Sequence, residues 1–160
     1  MDDPDYGELS QIKIETANWC DANGDIKRIE KHSDGKLVSV QEFFVNGLEK
    51  SCETYYPNGQ LKTFETRNSY GFRKKINTYH PNGQLHNTIE YNRNGSTRVW
   101  GRFDENGVNE IIVYYYPSGE IMECIQTEKS VCNPNQTFKI VKTYDLCGKI
   151  MKESKTQLRW

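Results

Sequence analysis

Apolar residues are scarce in this chain. Counted with the 12 Gly and without the 10 Tyr they number 58 of 160, about 36%, against the roughly 45–50% of ordinary globular chains, so a thick core is not expected. Alanine is nearly missing, with two, and leucine is thin, with seven, which removes the residues from which helices are most easily built. No stretch approaches the ~20 apolar residues of a membrane-spanning helix. The opening MDDPDYGELSQ has neither the positive n-region nor the apolar h-region of a signal peptide, and the expectation is a cytoplasmic protein that makes no use of a membrane. An excess of charge of one sign is missing as well: 21 Lys and Arg face 22 Asp and Glu, for a net charge of −1, so nothing draws the chain as a whole toward polyphosphate. There is no H-E-x-x-H, C-x-x-C, G-x-S-x-G or G-x-x-x-x-G-K-[ST], and with them go the usual signatures of hydrolytic metal sites, nucleophile elbows and phosphate loops. The reading is a non-enzymatic protein with no cofactor.

What is present points to strands. Twelve Ile, eight Val, ten Tyr, six Phe and three Trp are the β-branched and aromatic residues that suit a pleated, half-buried surface. This aromatic content with nearly balanced charge also argues against disorder. The five cysteines, Cys20, Cys52, Cys124, Cys132 and Cys147, are an odd number and read as free thiols in a reducing compartment. Cys124, Cys132 and Cys147 could in principle join a histidine around zinc, but their spacing matches no common zinc module, and small buried thiols account for them better.

The organising feature is a period of twelve. Gly35, Gly47, Gly59, Gly71, Gly83, Gly95, Gly107 and Gly119 form an unbroken ladder, and five of them follow Asn while one follows Asp. Asn-Gly and Asp-Gly favour the two-residue type I′ hairpin turn. An aromatic stands four residues before most of these glycines, as at Phe43, Tyr55, Tyr79, Tyr91, Phe103 and Tyr115. The expected fold is all-β: a single-layer antiparallel β-meander of about ten to twelve strands built from twelve-residue strand-turn repeats, each stacking on the next. It occupies one domain over 1–160, with 1–18 as an N-terminal edge segment, repeats over 19–152, a longer loop at 130–136, and 153–160 as a C-terminal strand or tail. Ile12, Ile14 and Trp160 are placed to cap the two outer edges.

Tyr-Tyr-Pro-Asn-Gly-Gln-Leu (55–61), Tyr-His-Pro-Asn-Gly-Gln-Leu (79–85) and Tyr-Tyr-Pro-Ser-Gly-Glu-Ile (115–121) resemble the MORN-variant repeats of the bacterial YwqK-like antitoxin and immunity proteins, and the resemblance extends over roughly residues 19–152. It implies a single-layer sheet of hairpins and a protein-binding role, often the neutralisation of a toxin. Ser69-Tyr70-Gly71 and Arg93-Asn94-Gly95-Ser96 depart from the pattern by lacking the following Leu.

If each turn holds two residues, parity sorts the side chains between two faces. One face gathers Leu37, Cys52, Leu61, Ile76, Leu85, Ile89, Trp100 and Val113, crossed by a row in which Lys50, Arg67, Lys74 and Arg98 interleave with aromatics. Cations alternating with aromatics can bind nucleic acid, although lysine and arginine stems lying over a sheet explain such a row more simply. The other face alternates Tyr55, Lys62, Tyr79, His86, Phe103 and Glu110. His80 fills the slot of Tyr56 and Tyr116 and reads as part of the repeat framework, and His86 fills the solvated slot of Lys62. Both faces are partly apolar, which points to a binding protein. The candidate partner-binding residues are Tyr55, Tyr79, Trp100, Phe103, Tyr114 and Tyr116, with Glu53, Glu90 and Glu110 supplying charge complementarity to a cognate toxin of basic nuclease type. A homodimer or self-associating scaffold is the alternative, and weak nucleic-acid binding a second one.

Overall fold

A computed structural model describes residues 13–131, 133 and 135–158. Ile12, Cys132 and Trp160 lie outside them. The strands are β1 (Ile14–Cys20), β2 (Ile26–Ser33), β3 (Lys36–Phe43), β4 (Glu49–Tyr55), β5 (Leu61–Arg67), β6 (Arg73–Tyr79), β7 (Leu85–Tyr91), β8 (Thr97–Phe103), β9 (Asn109–Tyr115), β10 (Ile121–Lys129), β11 (Thr137–Tyr144) and β12 (Ile150–Leu158). They form one twelve-stranded sheet in sequence order, antiparallel throughout, and no strand touches any but its neighbours. The meander is therefore open and does not curl onto itself. Strand pairing reaches outward to Ile14 and Leu158, and the longer connection occupies 130–136 between β10 and β11.

The consequence for packing is a protein with almost no interior. Val40 and Val113, at 3% and 5% exposure, are the buried apolar side chains, Ser51 is the buried polar one, and no large side chain is fully buried among the described residues. Val113 shares a face with its partners Trp100 and Cys124, whereas Val40 stands opposite Glu30 and Glu53 on the other face, so the two most buried valines mark the two sides of one layer. Stability then rests on cross-strand neighbours, each worth about 0.2–1 kcal/mol, repeated along the sheet.

The turns correct the type I′ expectation. In the Tyr56–Gln60 loop the Gly59 amide donates to the Tyr56 carbonyl at 2.9 Å and the Tyr56 amide to the Gln60 carbonyl at 2.8 Å. The same pair of bonds recurs in the loops holding Gly47, Gly71, Gly83, Gly95, Gly107, Gly119 and Gly148. Among the described residues only glycines have positive φ, apart from Asp34 at 50°. A type I′ turn needs two positive φ values. Here a type I turn with Pro57, Pro81 or Pro117 at its second position hands a single left-handed residue to glycine, the type I plus bulge arrangement. Asp34-Gly35 alone keeps both positive angles.

Each bulge leaves one residue unpaired, three positions after the glycine. Thr54 pairs with Thr63 but Tyr55 with Leu61, skipping Lys62; the equivalent skips fall on Lys50, Lys74, His86 and Arg98. The strand bodies keep the register that two-residue turns predict, for instance Glu53 opposite Phe64 and Ile76 opposite Ile89. Near the turns the bulge changes the partners. Leu61 and Leu85 face Tyr55 and Tyr79, so they lie on the tyrosine side and not with Ile76 and Trp100 as parity alone implies.

Candidate binding surfaces

Successive turns fall on opposite ends of the strands. The odd turns, at Gly24, Gly47, Gly71, Gly95, Gly119 and Gly148, line one end; the even turns, at Gly35, Gly59, Gly83 and Gly107 together with the 130–136 loop, line the other. Turns on one end are two strands apart, about 10 Å, close enough for side chains to bridge them.

Asparagine does the bridging. Oδ1 of Asn46, Asn58, Asn82 and Asn94 accepts the backbone amide two residues on, at 3.0–3.2 Å, and Nδ2 of the same residues donates to the carbonyls of Ser69, Pro81, Glu105 and Pro117 in the next turn on that end. A second set of bridges uses the residue before the turn's middle. The Tyr56 hydroxyl donates to the Tyr79 carbonyl at 2.8 Å, His80 Nε2 to Phe103 at 3.1 Å, and the Tyr116 hydroxyl to Tyr144 at 3.1 Å. His80 thus fills the framework slot expected of it. Its neighbour His86 is half-buried with the two rings 4.3 Å apart, where its slot in the repeat predicts a solvated position.

The structure brings most of the candidate binding residues onto one face and separates three. Tyr55, Tyr79 and Phe103 recur on β4, β6 and β8 beside the even turns, with Glu53 near them; Tyr114 and Glu90 occupy the same face toward the odd turns. Glu110, which parity alone places in the tyrosine row, is the residue its bulge skips and pairs with Arg102 on the other face. Trp100 lies on the opposite face, opposite Ile89 and Val113. Tyr116 belongs to an odd turn and is committed to its bond with Tyr144.

The three glutamates are also engaged internally. Glu53 accepts the Tyr55 hydroxyl, and burial together with that carboxylate pushes the Tyr55 phenol up to about 12. Glu90 bonds Arg98 and lies 3.1 Å from Lys75; burial opposes its charge, but the two cations prevail and hold its carboxyl below the ordinary range. Glu110 pairs with Arg102. The charge complementarity expected of these residues is thus already satisfied within the sheet. Three of the four members of the basic row are balanced in the same way: Lys50 meets Glu42 at 3.1 Å, Arg67 meets Glu49 at 3.1 Å and Glu65 at 2.5 Å, and Arg98 bonds Glu90, while Lys74 has no carboxylate within ion-pair distance among the described residues. That pairing weighs against phosphate tracking.

Burial pushes the Cys52 and Cys124 thiols up, as small half-buried groups in strands. Cys20 and Cys147 are exposed, so the buried-thiol reading does not extend to Cys147.

Sorting by face alone misses a segregation by end. Of the exposed large apolar side chains among the described residues, all but Ile14 and Val131 stand at the odd-turn end, from Trp19 and Ile26 through Val45, Tyr70 and Phe72 to Leu146 and Met151. The even turns at Gly59 and Gly83 present Pro-Asn-Gly-Gln in their place. The sequence holds the signal: sorting alternate glycines puts Val45, Tyr70 and Leu146 beside odd turns and Pro57, Gln60, Pro81 and Gln84 beside even ones.

Residues 48–63 and 76–93 match the family model of the MORN repeat variant, one segment containing the Gly59 turn and the other the Gly83 turn. The chain carries MORN-type repeats. No curated protein matches it. Among solved structures it is similar to accessory secretory protein 1, 2 and 3 of Streptococcus pneumoniae, with 22% identity over 55% of this chain and 17% of that one at a TM-score of 0.40. It is also similar to a GtfA/B complex bound to UDP and GlcNAc, with 17% identity over 73% and 24% at 0.45, and to TarM, with 14% identity over 61% and 19% at 0.40. The chain spans a quarter or less of the length of those proteins.

Proposed function

We propose that this chain of MORN-type repeats is a non-enzymatic protein-binding module, acting in the cytoplasm, that neutralises a cognate toxin by covering its active site. The observation that carries the binding part is the uncovered sheet: two half-exposed faces with no second layer on either among the described residues, and exposed apolar side chains gathered at one turn end. Exposed apolar side chains gathered at one end of a sheet are the kind of surface that interaction sites use, and a standard interface needs only about 800 Å² from each partner. The toxin as partner is supported by the likeness of the Tyr-x-Pro-Asn-Gly-Gln-Leu repeats to those of the antitoxin family. Aromatic side chains supply the anchoring, Tyr79 and Phe103 on the sheet face and Trp100 behind it. Glu53, Glu90 and Glu110 would exchange internal partners for those of a basic nuclease-type domain.

Calorimetric titration against the purified product of the adjacent gene tests the proposal. A one-to-one complex that Tyr79→Ala with Phe103→Ala weakens at least tenfold is the expected result; absence of heat and of co-elution contradicts it.

A second reading has its own support. β1 and β12 each lack a neighbour on one side among the described residues, and unpaired edges invite strand addition. A self-associating scaffold or homodimer would join through them. Light scattering over a concentration series separates the readings, since a scaffold grows with concentration while an inhibitor of one toxin stays at one mass.

A further inference from the structure

We infer that the cleft between the Gly71 and Gly95 turns is a docking site for an acidic segment of a partner protein, one that carries a bulky apolar residue beside its carboxylates. The inference rests on the protein-binding reading but not on that partner being a toxin.

The cleft has a volume of about 520 Å³, and its walls carry five cations, Arg73, Lys74, Lys75, Arg93 and Arg98, against a single carboxylate, Glu90. Glu90 engages Lys75 and Arg98, and Arg73 meets Glu65 at 3.0 Å. Lys74 and Arg93 have no carboxylate within ion-pair distance among the described residues. Two acids against five cations leave an excess of positive charge in a molecule whose total is −1. The remainder of the chain, with 16 Lys and Arg against 20 Asp and Glu, is net negative, whereas this concavity is net positive.

The cations are held out by the fold itself. Lys74 and Arg98 are the residues their bulges leave unpaired, and Arg93 sits in a turn reading Asn-Arg-Asn-Gly-Ser where the Gly59 and Gly83 turns have Pro-Asn-Gly-Gln. Directly beside the cleft is a second hollow of about 390 Å³, which shares Asn68 and Arg93 with it and adds Tyr70 and Phe72. Those two aromatics are 79% and 59% exposed, so an apolar anchor is offered next to the cations.

The dimensions select a short acidic peptide over nucleic acid. The cationic stretch is bounded. Toward the Gly47 turn, Lys50 is neutralised by Glu42, and the Gly119 turn on the other side presents Glu120 and Glu123. A phosphate chain running along this end would meet carboxylates within about two turns, roughly 20 Å, whereas an extended peptide of four to six residues, about 13–20 Å, fits between them.

Fluorescence anisotropy of the full chain tests this with a labelled heptapeptide, Glu-Asp-Glu-Phe-Glu-Asp-Glu, beside a labelled twelve-nucleotide oligothymidylate. The expected result is saturable peptide binding that weakens as salt rises, falls about tenfold or more in Lys74→Glu with Arg93→Glu, and is unchanged by Lys62→Glu at the opposite end. Both substituted cations are in exposed positions, and the salt dependence of the unaltered chain stands as a second readout if that variant loses its far-UV strand signal. No peptide binding, binding unaffected by the cleft variant, or oligothymidylate binding as tight as the peptide and lost in the same variant would each overturn the assignment. Toxin neutralisation persisting in the cleft variant leaves the function proposed above standing and confines any failure to the cleft.

Discussion

At the residue scale the repeat is held by side chains doing two jobs at once. Asn58 caps its own turn through Oδ1 and reaches Pro81 through Nδ2. Aspartate can accept the first bond but cannot donate the second. Asn58→Asp is therefore expected to keep the hairpin and lose about 1 kcal/mol, the net worth of one hydrogen bond, read from urea unfolding. The dipeptide is plain in the sequence, but its reason is not: Asn-Gly signals backbone angles in isolation, while the amide's partner lies 23 residues away and comes into reach only once the turns stack. The second residue-scale prediction concerns Tyr55. Its phenol is held protonated up to about 12, against an ordinary value near 10. Between those values the unfolded chain gives up a proton that the folded chain keeps, so stability is full below pH 10 and is lost as pH rises toward 12. Tyr55→Phe should flatten that part of the curve, measured as unfolding free energy at pH 9 and pH 11.

At the element scale the hairpin is the working unit, and glycine position decides its shape. Gly59 has φ +84° and open space for 4 Å around the point where an alanine methyl would stand, so Gly59→Ala meets only the backbone cost of a left-handed alanine, about 1–2 kcal/mol. Gly101 differs. It lies in mid-strand, where an added Cβ would come within 3.2 Å of Thr88 Cγ2 and 3.4 Å of Phe103 Cε2. Gly101→Ala should push the Phe103 ring outward and alter the aromatic row, a change that 13C methyl shifts of Ile112 would report together with a stability loss of about 1 kcal/mol. Register is legible in the sequence at this scale because the glycines fix where each strand reverses, and the strand bodies obey it. The bulges are not, since a skipped residue leaves the sequence period at twelve and shows only in which residue faces which, as with Leu61 and Tyr55.

The whole molecule behaves as a one-dimensional stack. Each strand touches only its neighbours, so stability should be close to a sum of units and interfaces. Removing residues 60–83, two periods of twelve, rejoins Gly59 to Gln84 in register with the faces preserved. The shortened chain is expected to fold with a urea m-value lower by about one-seventh, in proportion to the surface it exposes on unfolding; collapse to an unfolded chain would show that the sheet is not modular. The low apolar content fits this architecture, which needs one or two apolar side chains per strand and leaves most positions wet. The all-β meander and its approximate strand number are readable from the glycine ladder extended to Gly24 and Gly148. The concentration of exposed apolar groups at the odd turns escapes a sorting by face, because the two ends of a strand become distinct only when alternate turns are taken together.

That the uncovered sheet serves to hold another protein inactive is tested most directly by the growth of cells expressing the adjacent gene's product, with and without this chain. Survival restored by the intact chain and lost with Tyr79→Ala and Phe103→Ala, at equal expression, is the predicted result; a neighbour that harms no cell, or harm that the chain leaves unchanged, would contradict it.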